Sequence, residues 1–230
     1  MTHARRTLAN IEINPLGLKG LGIKTPTLSD VDKLNALKGS MRGQRAVLIG
    51  NGWRLRLAQG RIKPGLVTIG TNRAHECFPL DVHVSIDRSA EAPPAFEGIR
   101  FGAAREGRHP ATLGACWSDY WKHNGALVKG TTPAFTGLYA IEVAVFLGFT
   151  EMYLLGYCGD DQPGSSGEGH FYAGKRCAPG MAVQHNAWIV EILKTNPSTQ
   201  LKVVLVPNTP APAIRGTGTA PLSEIMEDVK

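Results

Sequence analysis

The chain lacks several features that would settle its class at once. No apolar run reaches the roughly 18 residues of a membrane span, so a membrane-spanning helix is not expected. Met1 to Asn10 carries arginines but no following apolar stretch, so it does not read as a secretory signal. The four cysteines, Cys77, Cys116, Cys158 and Cys177, include no Cys-x-x-Cys pair. That argues against a zinc site and for a reduced, cytoplasmic protein. There is no internal repeat, no basic-aromatic repeat and no zinc finger or RNA-binding signature, so no motif supports nucleic-acid binding. The Lys-containing phosphate loop G-x-x-x-x-G-K-[ST] is also missing.

What is present points to one large α/β domain. A chain of 230 residues can bury about 70–75% of the surface it exposes unfolded. The net charge of +6 is uneven. Residues 1–110 hold 17 Lys/Arg against 9 Asp/Glu, and residues 111–230 hold 8 against 10. The basic half suits an anionic ligand such as a nucleotide, although a solvated basic surface is the plainer explanation.

Thr136 to Gly156 organises the rest. Glu142 is the only charge between Thr136 and Gly148, so this segment predicts a helix buried nearly all round. Gly148 is its stop, and Met152–Leu155 predicts a parallel strand covered on both faces. Further strands are expected at Ala46–Ile49, Leu66–Ile69, Val82–Ile86, Ile99–Gly102 and Leu201–Val206. Trp53–Ala58 and the amphipathic Met181–Lys194 predict helices, as does a short segment holding Val31, Leu34 and Leu37 and ended by Gly39. The expected organisation is an arm with a short helix at 1–44, an α/β domain at 45–207, and an extended tail with a short helix at 208–230. The sheet should be mostly parallel with helices on both faces. Trp117, Tyr120 and Trp121 would pack an inserted lid onto it.

Ligands in such sheets bind beyond the carboxyl ends of the strands. The first strand runs into Gly50-Asn51-Gly52, where glycines let a phosphate approach the backbone. The second ends near Asn72 and the third near Asp87. Each polar residue alone is a common turn former; together they mark one crevice. His75 and His83 bracket it and read as structural histidines. Thr136 and Gly137 open the central helix, and Gly156 ends the strand after it. Tyr157–Gly180 holds six glycines and reads as a mobile active-site loop. In it, Asp160-Asp161 is either a Mg²⁺ ligand pair or a solvated acidic turn. His185 lies in the opening turns of a helix, whose dipole disfavours the imidazolium and keeps the ring neutral, as a general base requires.

These residues also carry a resemblance. Gly50-Asn51-Gly52, Asn72, and Thr136-x-Gly-x-Tyr139 through Leu147-Gly148-Phe149-x-Glu151-x-Tyr153-Leu154-x-Gly156 resemble two related groups. One is the small bacterial sialyltransferases of glycosyltransferase family 42. The other is the 6-hydroxymethylpterin diphosphokinase-like (MptE-like) group, which includes phage-encoded members. The match spans roughly residues 45–207 and is most specific at 136–156. It implies a Rossmann-like nucleotide-binding domain at 45–207 in which Asn51, Asn72 and Thr136 hold a CMP-sugar-like nucleotide sugar, His185 is the catalytic base, and Tyr157 or Tyr172 supports the leaving phosphate. Two departures matter. The sialyltransferases' Gly-Asn-Gly-Pro-Ser is here Gly50-Asn51-Gly52-Trp53-Arg54, and Asp87 stands where they tend to have Asn. A carboxylate there suits metal-assisted diphosphate transfer from ATP. The expectation is therefore a nucleotide-dependent transferase acting on a small-molecule or glycan acceptor, with glycosyl transfer preferred. The alternatives are Mg²⁺-dependent diphosphate transfer, and a non-catalytic phage-type structural or nucleic-acid-binding protein that keeps the fold. A homo-oligomer is compatible with any of them.

Overall fold

A computed structural model describes residues 36–58, 60–85, 96, 98–102, 136–157, 181–208 and 214–227, without the side chains of Trp53, Arg56 and residues 181–185. Residues 1–35 of the expected arm and the lid at 103–135 lie outside the described residues, as do Asp87 and residues 158–180 of the expected loop.

The strands are β1 (Arg45–Ile49), β2 (Arg61–Ile62), β3 (Leu66–Thr71), β4 (Val82–Ser85), β5 (Ile99–Gly102), β6 (Glu151–Leu155), β7 (Gln200–Leu205), β8 (Gly218–Pro221) and β9 (Met226–Glu227). The helices are α1 (Thr136–Leu147), α2 (Met181–Thr195) and the short α3 (Leu222–Ile225). Seven strands form one sheet in the order β5-β4-β3-β1-β6-β7-β8. Every pairing in it is parallel. Ala46 to Ile49 are wholly buried because β1 sits in the middle, with Leu48 beside Ile69 on one side and Leu154 on the other.

The chain winds outwards from β1 in both directions. Right-handed crossovers in opposite directions must lie on opposite faces, and the two cores show this. Alternate residues such as Ala46, Leu48, Ile69, Met152 and Leu154 pack with Leu138 and Ile141 of α1 and Ile189 and Ile192 of α2. The intervening Val47, Ile49, Tyr153 and Leu155 face Leu55, Ala74, Phe78 and Ile225. The fold is thus a Rossmann-like α/β domain. Its second face is covered by short pieces, and Trp53–Leu57 is a 3-10 turn rather than the expected α-helix.

Ten of the twelve residues of α1 are buried, as its apolar composition demands. Each fully buried Leu, Ile or Phe there contributes about 1.5–3 kcal/mol. Gly148 ends the helix at φ +98°, and its N–H returns to the Ala144 carbonyl at 3.1 Å. The stretch expected to run as an extended tail takes part in the sheet. β8 adds a parallel edge strand to β7, and β9 pairs antiparallel with β2.

Candidate functional site

The strand order reverses between β1 and β6, which makes their carboxyl ends the switch point where such sheets take ligands. The two ends are joined tightly. Gly50 N–H donates to the Leu155 carbonyl at 2.8 Å and Gly52 N–H to the Gly156 carbonyl at 2.7 Å. A Cβ on Gly50 would stand 2.7 Å from the Gly156 oxygen and 3.0 Å from the Tyr157 ring. Gly156 itself turns at φ +71°. Tyr157 is buried, and burial pushes its phenol well above the usual tyrosine range, so it stays protonated and can donate. Its hydroxyl reaches the Gly137 carbonyl at 3.1 Å and ties the end of β6 to the first turn of α1. Thr136 opens that turn and is also buried.

Asn51 is 8% exposed and its Nδ2 donates to Thr71 Oγ1 at 2.7 Å. The direction of this bond follows from proton counting. The Thr71 hydroxyl has one proton, which goes to the Ile49 carbonyl at 3.2 Å, so it can only accept from Asn51. The Asn51 carboxamide oxygen then points elsewhere, buried and without a hydrogen-bond partner among the described residues. Such a buried acceptor calls for an explanation, and a donor on a ligand supplies one.

Asn72, the residue after β3, adopts φ +48° and starts a 3-10 turn over Asn72–Glu76. Its backbone carbonyl meets two imidazoles, His75 Nδ1 at 3.0 Å and His83 Nε2 at 2.6 Å. Ser85 Oγ donates to Asn72 Oδ1 at 3.2 Å, so this bond uses the carboxamide oxygen and not its N–H groups. Thr71, Ser85 and the two histidines were not marked by the sequence as site residues. The Asn51–Thr71 bond joins positions 20 apart, and no spacing rule points to it.

Gly50, Asn51, Gly52, Gly156, Tyr157, Gly137 and Thr136 are therefore linked through hydrogen bonds or direct succession, and Asn72 joins them through Thr71. An acceptor on Asn51, the Asn72 carboxamide and the amino-terminal turn of α1, the positive end of its dipole, are the groups there that suit a polar, anionic molecule. α2 runs from the β6 end back to the start of β7, so its first turns, with His185, lie on the carboxyl side of the sheet. The side chain of His185 is outside the described residues, as are Tyr172, Asp87, Asp160 and Asp161. Among the described residues no group of three His, Cys, Asp or Glu could hold a metal ion. No helix among them is long and apolar enough to cross a membrane.

The fold is that of a Rossmann-like α/β domain, with Gly50, Asn51, Gly52 and Gly156 gathered at its switch point. The chain matches no family model, no curated protein and no solved structure.

Proposed function

We propose that the crevice binds a nucleotide and that the protein is a nucleotide-dependent transferase, moving a glycosyl group from a nucleotide sugar to a small-molecule or glycan hydroxyl. The observation that carries this is the buried, unpartnered carboxamide oxygen of Asn51 at the switch point of a parallel sheet. A ribose hydroxyl or a base amino group satisfies it, while the start of α1 receives phosphate. His185 takes the proton from the acceptor hydroxyl as that oxygen attacks the sugar. The bond from sugar to phosphate breaks, and the nucleotide leaves with the electron pair. Tyr172 steadies the leaving phosphate, and Tyr157 acts through its hold on Gly137. The scattered cysteines suit a cytoplasmic setting.

His185→Ala should lower turnover about 10²–10⁴-fold and leave nucleotide affinity nearly unchanged. Turnover of the purified variant and titration with CMP, UDP, GDP and ATP, with and without Mg²⁺, check both. Full activity in His185→Ala together with a metal-dependent loss in Asp87→Asn would replace glycosyl transfer by diphosphate transfer.

A further inference from the structure

We infer that His75 and His83 are joint positioning residues for Asn72, holding its backbone in the left-handed conformation that turns its carboxamide towards the crevice. This rests on the nucleotide-site reading above and extends it to two residues outside the crevice.

Asn72 and Asn208 are the non-glycine residues at positive φ among the described residues. Asn tolerates φ +48° better than other residues with a side chain, yet the extended and right-handed regions stay open to it, so contacts on its backbone decide which is kept. Thr71 makes no cap to the turn, because its hydroxyl is already used between Ile49 and Asn51. Two imidazoles meet instead on the Asn72 carbonyl. A carbonyl only accepts, so each ring must present an N–H to it: His75 through Nδ1 and His83 through Nε2. The first contact is local, three residues along the turn. The second comes from the middle of β4, where His83 pairs with Gly70 and Arg100 and is 2% exposed. The two rings meet edge to face at 5.5 Å, and Phe96 stands against His83 at 5.9 Å. The His83 ring is thereby confined between His75 and Phe96, and Asn72 is anchored to the sheet from both sides of its carbonyl.

The ring nitrogens differ, and this gives a specific test. An Asn amide nitrogen sits near the position of Nδ1 and a Gln amide nitrogen near that of Nε2. His75→Asn and His83→Gln therefore keep the donor, whereas His75→Gln and His83→Asn misplace it. Two quantities are read in each variant. The Asn72 backbone angle comes from its amide–Hα coupling and carbon shifts by NMR, and affinity comes from titration with CMP, UDP, GDP and ATP. The misplaced pair should lose the positive-φ signature and bind about tenfold more weakly, while the matched pair keeps both. If the buried His83 variants fail to fold, the half-buried His75 pair alone gives the comparison. An unchanged Asn72 angle in the misplaced variants overturns the inference, and so does a changed angle with unchanged affinity. A changed angle in a chain whose unmodified form binds no nucleotide upholds the clamp on Asn72 and removes the nucleotide reading instead.

Discussion

At the amino edge of the sheet, Lys202 Nζ donates to Glu151 at 2.7 Å and to Glu224 at 3.2 Å. The Tyr153 hydroxyl stands between the same two carboxylates, 2.8 Å from Glu151 and 2.6 Å from Glu224. Each charge there has an opposite partner within the chain. Lys202 and Tyr153 hold Glu151 below the usual carboxylate range, and Tyr153 and Lys202 do the same for Glu224. Burial and the two carboxylates push the Tyr153 phenol up to about 12. At the carboxyl edge the arrangement is the reverse. Backbones approach closely through Gly50 and Gly156, Asn72 takes a left-handed backbone, and the Asn51 oxygen faces no donor among the described residues. The Lys202 cluster is saturated and fastens α3 to the sheet. The carboxyl edge keeps unspent hydrogen-bonding capacity, which is what a binding site needs. The same strands serve both ends, so the difference arises in the few residues that begin and finish them.

The comparison can be broken most severely at Gly50. Its missing Cβ faces a backbone oxygen at 2.7 Å that cannot move aside independently of β6. Gly50→Ala should destabilise the fold by about 1–3 kcal/mol and abolish nucleotide binding. Denaturant unfolding and calorimetry read the two effects.

A second change probes the core between the edges. Glu142 is buried in α1, and desolvation pushes its carboxyl up to about 8 from 4.5. The folded protein therefore keeps a proton that the unfolded chain releases above about pH 4.5. Stability should fall as pH rises from 4.5 to about 8, by up to about 1.4 kcal/mol per pH unit. Glu142→Gln should flatten this slope, with a stability gain that grows with pH. Unfolding curves between pH 5 and 8 measure it, and parallel wild-type and variant curves would contradict it.

The smallest effect belongs to the saturated edge. Lys202→Met should cost about 1 kcal/mol near neutral pH, because the partners are partly exposed, and should leave nucleotide affinity unaltered. The lowered carboxylates contribute stability that is complete above pH 4.5 and lost as pH falls through their folded values. The variant's deficit should therefore shrink in acid, as thermal melts across that range would show.

Much of the fold was legible in the sequence because its strands are short apolar runs bounded by Gly, Asn or Asp. Met152–Leu155 and Ile99–Gly102 lie where the pattern puts them, and Gly148 stops α1 as read. β8 was not legible. Gly218-Thr219-Ala220-Pro221 has no apolar run, since an edge strand of four residues needs one buried side chain, here Ala220. Trp53–Leu57 carries helical composition, but the Ala58 N–H closes on the Leu55 carbonyl after one 3-10 turn. At the candidate site the glycines and asparagines were visible as residue types. Their hydrogen bonds were not. The bond from Asn51 to Thr71, and the meeting of His75 and His83 on one carbonyl, depend on strand register and on the left-handed turn at Asn72. No periodicity encodes either.

The central claim is that the Asn51 oxygen is reserved for a ligand. Calorimetric titration of the wild type and of Asn51→Leu with CMP, UDP, GDP and ATP, with and without Mg²⁺, tests it most directly. Leu keeps the branching of Asn at Cγ and removes the buried acceptor, together with the donor to Thr71. The account predicts that the wild type binds at least one of these nucleotides and that the folded variant binds it about tenfold or more weakly, with a melting temperature lowered only as far as the lost bond to Thr71 requires. Equal affinity in the two folded proteins, or no binding by the wild type, would make Asn51 a structural residue and contradict the account.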